Sequence, residues 1–276
     1  MWLAEVVAKG GHMNGVTRKL GNWLGRWLTQ PAHVHDSSPV APSELLEATL
    51  QPGDVLLVEG HSRVSVAIKY LTQSTWSHAA LYIGTPPSDY RAGCPNHCFV
   101  EADIVGGVRL VGLAQFASLH SRICRPVSLT AEDVQHIVNY ALAQVGHQYD
   151  LQNVVDLVRF LIPTPPVPHR WRRRMLALGS GDPTQAICST LIAQCFQSVH
   201  YPILPDIETP SAYRVDCSGC VDEILRIRDH SLFVPRDFDV SPYFQVVKPT
   251  LEQGFDYRRL TWGDQTPNAS LNKEVT

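Results

Sequence analysis

The chain of 276 residues is 44% hydrophobic and 18% charged, and its formal net charge is −3. This composition supports a buried core and excludes a disordered chain, and the balance of charges excludes a general basic surface for nucleic acid. No apolar run reaches the roughly 18 residues that a transmembrane helix needs, and residues 1–9 lack the pattern of a secretory signal. The seven cysteines, an odd number, favour reduced thiols in a cytoplasmic protein.

The first part of the chain predicts an amphipathic helix over residues 14–30, followed by a proline-bearing linker. Its large apolar residues share one helix face, with basic residues at other positions; they are Val16, Leu20, Trp23, Leu24, Trp27 and Leu28. We therefore divide the chain into an N-terminal helix and linker (residues 1–45) and one larger domain (46–276), which has its core at about 50–200 and a C-terminal elaboration after it. The apolar helix face can pack on protein, which we favour, or lie on an anionic membrane surface. The basic segment 170–174 has the same two interpretations.

Downstream of the linker, strand patterns precede the larger helices, which is typical of an α+β fold. Short apolar runs predict strands at residues 55–58, 77–84, 98–103, 108–111 and 123–127. Apolar residues at helical spacing predict helices at about 63–73, 130–145, 150–161 and 186–199. Thr130, followed by Glu132 and Asp133, has the pattern of a capped helix start. Beyond residue 200, short strand and loop signals alternate around several prolines.

Cys188 is the strongest candidate nucleophile in the chain. It lies at the start of a predicted helix, directly after the helix-start residues Asp182, Pro183 and Thr184. The positive end of a helix dipole favours the thiolate, which is the reactive form of a cysteine. The alternative is a small buried hydrophobe, and this is the interpretation that we give to Cys195 on the same helix.

His78 and Glu101 are candidates for an acid–base pair. His78 opens a predicted strand, on which it shares a face with Ala80 and Tyr82. Glu101 lies between apolar residues in the middle of the next strand, where a buried carboxylate needs a partner. An imidazole on the adjacent strand would serve, at about 2.6–3.2 Å, and the carboxylate would then hold its tautomer. Alternatively, Glu101 is an exposed edge residue or forms an ion pair with an arginine.

Four motifs, taken in order, resemble the circularly permuted NlpC/P60 (papain-like) superfamily, and within it the YiiX/YebB-like cysteine amidases. They are Ser77-His78 at the start of a strand, Val100-Glu101-Ala102, Gly146-His147-Gln148-Tyr149-Asp150, and Cys188-Ser189 on a helix. In ordinary NlpC/P60 hydrolases the cysteine helix precedes the histidine strand, and here the order is inverted. The resemblance covers roughly residues 50 to 200.

This resemblance implies a circularly permuted papain-like fold, with a small antiparallel sheet or barrel packed against helices. It implies that Cys188 is the nucleophile, that His78 is the base and that Glu101 orients His78. It also places Tyr149 near the bound substrate, where it would help to bind a developing oxyanion. The implied substrate is an amide or peptide bond, with cell-wall peptides as one such class, and no cofactor is implied. Thr190 departs from the family pattern, because relatives often have an acidic residue there, and this bears on substrate contacts.

Three alternatives remain at this point. The same fold serves lecithin–retinol acyltransferase-like enzymes, which move acyl chains from lipids, and the two segments that could contact a membrane would suit such a substrate. A catalytically silent binding module is the second alternative. The third concerns Cys94, Cys98, Cys217 and Cys220, which could form a four-thiolate zinc site. Their irregular spacing argues against it, and we expect no metal.

Overall fold

A computed structural model describes residues 30, 41–90, 94, 96–103, 106–147, 187–208 and 224–259. The predicted N-terminal helix, the predicted helix at 150–161 and the basic segment 170–174 lie outside the described residues. So do Tyr149, Cys217 and Cys220. No helix within the described ranges combines the length and apolar character needed to cross a membrane.

In the described part of the chain, most strands of the large sheet precede the two longest helices. The helices are α1 (Ser43–Thr49), α2 (Arg63–Thr72), α3 (Ala131–Ala143), α4 (Ile187–Gln197), α5 (Pro235–Val240) and α6 (Pro249–Glu252). The strands are β1 (Val55–Val58), β2 (His78–Gly84), β3 (Cys98–Asp103), β4 (Gly107–Gly112), β5 (Ser121–Pro126), β6 (Asp206–Glu208), β7 (Ile224–Arg226) and β8 (Phe244–Val247). This arrangement confirms the predicted α+β class.

In the described part of the chain, six strands form one antiparallel sheet in the order β4-β3-β2-β1-β5-β8. The first and last strands of this order do not pair with each other, so the sheet is open. Of the two forms expected from the sequence, the small antiparallel sheet is therefore correct and the barrel is wrong. The short strands β6 and β7 form a separate antiparallel pair.

Each face of the large sheet is buried under different elements, because alternate residues of a strand point to opposite faces. On one face, Ala79 and Leu81 of β2 join a cluster with apolar side chains of α3 and α4, among them Ile137 and Leu191. On the other face, Ala80, Tyr82 and Phe99 pack with Leu46 of α1 and with Phe116. His78, Ala80 and Tyr82 thus lie on one face of the sheet, as the strand pattern predicted.

Local sequence explains where several elements begin. Thr130 accepts a hydrogen bond from the Asp133 amide, and the Asp133 carboxylate accepts one from the Thr130 amide. This capping box confirms the predicted helix start. The same helix is followed by Gly146, whose φ of 91° is a conformation that favours glycine. Beyond residue 200 the sequence was less informative, and α5 and β8 were not predicted.

A buried ion pair secures the turn that leads into β1. Gly53 adopts a φ of 95°, and the next residue, Asp54, has a side chain that is only 1% exposed. Both oxygens of Asp54 accept hydrogen bonds from the Arg125 guanidinium of β5, each at 2.8 Å. Burial raises the pKa of Asp54, and the contacts with Arg125 and with the Gln51 amide act in the opposite direction. The pair ties the turn to the far end of the sheet from His78.

Replacing Arg125 by alanine is expected to lower the free energy of unfolding by about 3–5 kcal/mol, because it leaves the buried Asp54 carboxylate without its counter-ion. Urea denaturation measures this change. Arg236→Ala is the matched control, since that exposed arginine makes one long contact of 3.4 Å with the Thr72 carbonyl. The control is expected to change stability by less than about 0.5 kcal/mol. Equal effects of the two variants would show that the Asp54 contact is not important for stability.

Candidate active site

The first residue of β2 brings an imidazole to the end of the sheet. His78 Nε2 donates to Glu101 Oε2 at a distance of 2.7 Å. The ring also lies beside Phe116, with 6.3 Å between the ring centroids. With Nε2 bound to the carboxylate, Nδ1 is the ring nitrogen left for a second partner. This is the imidazole–carboxylate contact expected from the sequence.

Glu101 is buried in the middle of β3, with a side chain that is 2% exposed. Its Oε1 accepts hydrogen bonds from Arg109 Nε and from Gln115 Nε2, each at 2.9 Å. Because Arg109 lies directly opposite Glu101 in the β3–β4 pair, the two side chains meet on one face of the sheet. The alternative of an exposed edge residue is therefore wrong. The alternative of an ion pair with an arginine is correct, but it exists together with the histidine contact.

Cys188 is the second residue of α4, and it is buried at 5% exposure. The His78 imidazole and the Ala79 backbone amide both act on the pKa of this thiol, so the thiol lies at the start of β2. The Ser189 hydroxyl is 4.0 Å from the sulfur. The structure thus brings together all three residues singled out as a catalytic set. The fourth predicted site residue, Tyr149, lies outside the described residues.

The electrostatics of this group favour a thiolate beside an imidazolium. Burial by itself raises the pKa of the Cys188 thiol, but the charge and hydrogen bond of His78 outweigh it and hold that pKa below its ordinary value. Burial by itself lowers the pKa of His78, yet the charges of Cys188 and Glu101 raise the pKa of His78 to about 10. Burial opposes the charge on Glu101 as well, but hydrogen bonds from His78 and Gln115 lower the pKa of Glu101 to about 2. The three groups therefore support one another as a charged set.

The other free cysteines in the described residues have the opposite electrostatic environment. Cys124 and Cys195 are both buried, and the nearby charge of Arg122 does not compensate for the desolvation of Cys124. Burial raises the pKa of Cys124 to about 12 and that of Cys195 to about 12. Both residues therefore have the properties of unreactive core thiols, as expected for Cys195.

Cys94 and Cys98 form a disulfide at the start of β3. This pairing differs from the expectation of reduced thiols, and it leaves neither sulfur free as a thiolate for the four-cysteine zinc site. The described residues contain no group of three or more His, Cys, Asp or Glu side chains arranged to hold a metal ion.

Sequence reasoning missed two residues that contact the candidate site, Arg109 and Gln115. Arg109 could have been found from the register of the β3–β4 hairpin, because six residues of each strand pair from Cys98 opposite Gly112 to Asp103 opposite Gly107. Gln115 ends a short 3-10 turn, Leu113–Gln115, which carries no clear signal in the sequence.

Comparison with known proteins finds one family that resembles part of this chain. Residues 49–158 match the family described as "Permuted papain-like amidase enzyme, YaeF/YiiX, C92 family". Over these residues, the chain is similar to the permuted papain-like amidase family. The match includes His78 and Glu101 and ends before the segment that carries Cys188. The matched family is one of papain-like amidases and peptidases, and this similarity supports a cysteine hydrolase of amidase type.

One similar solved structure is described as the crystal structure of metalloprotein yiiX from Escherichia coli O157:H7. It is 17% identical in sequence, with a TM-score of 0.41, and the similarity covers 72% of this chain and 96% of that chain. No curated protein gives a significant sequence match.

Proposed function

We propose that this permuted papain-like amidase cleaves an amide or peptide bond through Cys188, with His78 as general base and acid and Glu101 as the residue that orients His78. One observation carries the proposal most directly. The imidazole of His78 contacts the Glu101 carboxylate at 2.7 Å, and its charge also lowers the pKa of the neighbouring Cys188 thiol. A nucleophile, a base and a group that orients the base are the three parts that thiol-dependent acyl transfer requires.

The chemistry proceeds through an acyl-enzyme. The Cys188 thiolate attacks the carbonyl carbon of the scissile amide, and the imidazolium of His78 protonates the departing nitrogen, which leaves as an amine. The acyl group is then bound to the sulfur as a thioester. A water molecule gives a proton to the neutral imidazole and attacks the thioester, which releases the carboxylic acid and restores the thiolate–imidazolium pair. Glu101 stays ionised throughout and stabilises the imidazolium each time it forms.

The family assignment favours a peptide-type substrate over a lipid ester, and cell-wall peptides remain one substrate class within this proposal. Acyl transfer from a lipid would use the same thioester. The membrane contacts that would favour a lipid substrate fall on segments outside the described residues, and no described feature supports them. The similarity to an enzyme family and the mutual charge stabilisation of Cys188, His78 and Glu101 both argue against a catalytically silent module.

The proposed role of Tyr149, which is to help bind the oxyanion, belongs to the same hypothesis.

Brief exposure of the full chain to iodoacetamide near neutral pH tests the central claim. Cys188 is expected to be alkylated more than about tenfold faster than Cys195 or Cys124, because His78 holds the pKa of its thiol below the ordinary value whereas burial raises the pKa of the other two. Mass spectrometry of the peptides gives the three rates in one sample, so that Cys124 and Cys195 serve as internal controls. Alkylation of Cys188 at the rate of Cys195 would exclude it as the nucleophile.

A further inference from the structure

The two oxygens of the Glu101 carboxylate have different partners. Oε1 takes three hydrogen-bond donors: Arg109 Nη2 at 2.8 Å, Arg109 Nε at 2.9 Å and Gln115 Nε2 at 2.9 Å. Within the described residues, Oε2 accepts a hydrogen bond from His78 Nε2 alone, at 2.7 Å. The torsion that rotates the carboxylate of a glutamate, χ3, has a broad and roughly two-fold preference. The intrinsic preference of Glu101 therefore does not decide which of its oxygens faces the histidine. The selection comes from the donors on Oε1.

We propose that Arg109 and Gln115 are positioning residues of the hydrolytic reaction: by holding Oε1 of Glu101 they reserve Oε2 for His78, and so keep the imidazole aimed at Cys188. This inference rests on the function proposed above and deepens it, because it names the groups that make Glu101 an effective orienting residue.

The two positioning residues come from independent elements, which fixes the carboxylate from two directions. Arg109 is held opposite Glu101 by the backbone register of β3 and β4. Gln115 ends the Leu113–Gln115 turn, which is anchored by the buried side chains of Leu113 and Phe116. Phe116 also lies against the His78 ring, so the same turn contacts both members of the imidazole–carboxylate pair.

Charge and desolvation explain why both donors are needed. A buried carboxylate without partners would become neutral or would turn toward any available donor. Arg109 supplies a positive charge, and Gln115 supplies a neutral donor that fixes direction without adding charge. Among the described residues, Asp103 is a further charged group near this set, with its Oδ2 3.9 Å from Arg109 Nη2. Arg109 is 45% exposed and Gln115 is exposed, so these two side chains also lie between the buried Glu101 and solvent.

The test measures the rate of Cys188 alkylation by iodoacetamide between pH 4 and pH 10 in full-length variants, since the acid midpoint of this profile reports thiolate formation. In Gln115→Ala the midpoint is expected to move up by about one pH unit, because a misaligned carboxylate supports the imidazolium less well. Gln115→Met keeps the length of the side chain and removes only the donor, so it should give the same shift. Arg109→Lys keeps the positive charge but loses the pair of guanidinium nitrogens that donate to Oε1, so it should give an intermediate shift.

Hydrolysis of a peptide anilide by the same variants separates positioning from substrate binding. The turnover number kcat should fall by about tenfold while KM stays unchanged, because the change affects the proton transfers and not the substrate contacts. Gln135→Ala is the control for Gln115, since Gln135 bonds Asn139 on the exposed surface of α3. Arg125→Lys is the control for Arg109, because it weakens another arginine–carboxylate pair at the other end of the sheet. It should lower stability without moving the midpoint.

The outcomes separate this inference from the function on which it rests. If wild-type Cys188 is alkylated quickly and the Gln115 and Arg109 variants share its midpoint, the positioning role is wrong while the proposed function stands. A shift in Gln115→Ala that is absent in Gln115→Met would also overturn it, since packing and not donation would then be the cause. If wild-type Cys188 reacts no faster than Cys195, the proposed function fails, and this inference fails with it.

Discussion

Replacing Cys188 by serine is expected to lower kcat/KM for amide hydrolysis by about 10³-fold or more. The hydroxyl of serine ionises far less readily than a thiol, so His78 cannot maintain a nucleophilic anion in its place. The change removes no large side chain, and α4 should therefore keep its packing on the sheet. Steady-state hydrolysis of peptide p-nitroanilides and of p-nitrophenyl acetate, a general acyl donor, provides the measurement.

Cys195→Ser is the matched control for this substitution. Cys195 lies on the same helix and is fully buried in the core. The same substitution there replaces a thiol by a hydroxyl away from the candidate site. This control is expected to lose some stability because it buries a hydroxyl, but to keep its turnover number. Thermal unfolding of both variants separates a loss of fold from a loss of chemistry. Retention of more than about one tenth of wild-type activity by Cys188→Ser would rule out covalent catalysis by Cys188.

Replacing His78 by alanine is expected to slow alkylation of Cys188 at pH 6 by about 100-fold or more. Without the imidazolium, the thiol returns toward an ordinary pKa of about 8.5 or higher, so well under one per cent is thiolate at pH 6. The loss of this pKa shift also predicts how the difference in alkylation rate changes with pH. As pH rises toward 9 and 10, the thiol of the variant ionises without help, and the difference between the two proteins should narrow.

His120→Ala provides the matched control for His78→Ala. His120 also contacts a carboxylate, with its Nδ1 3.1 Å from Glu59 Oε2, and its ring lies 5.2 Å from that of Trp76. Its removal is expected to leave the alkylation profile of Cys188 unchanged. A loss of reactivity in His78→Ala that stays constant from pH 6 to pH 10 would indicate a change in the shape of the site, and would argue against an ion pair.

Local patterns were informative wherever residues close in sequence decide the structure. The strands Val55–Val58 and Cys98–Asp103 were predicted with their observed bounds, because short apolar runs between turn residues usually form buried strands. The capped start of Ala131–Ala143 followed from Thr130 and Asp133 for the same reason. The short strand Phe244–Val247 was missed, since four residues between prolines carry too little periodicity to show that they pair with Ser121–Pro126.

The sequence by itself determined the α+β class and three chemically matched residues, Cys188, His78 and Glu101, because helix starts, strand alternation and motif order are local properties. Only the tertiary structure decided how Glu101 is satisfied. Its Oε1 partners, Arg109 and Gln115, lie 8 and 14 residues away along the chain, and they reach it through strand register and a short turn. Likewise, the open form of the sheet depends on which strands lie at its edges. Such contacts depend on how separate elements pack in three dimensions. The order of residue types along the chain therefore does not show which donor reaches which oxygen of a carboxylate.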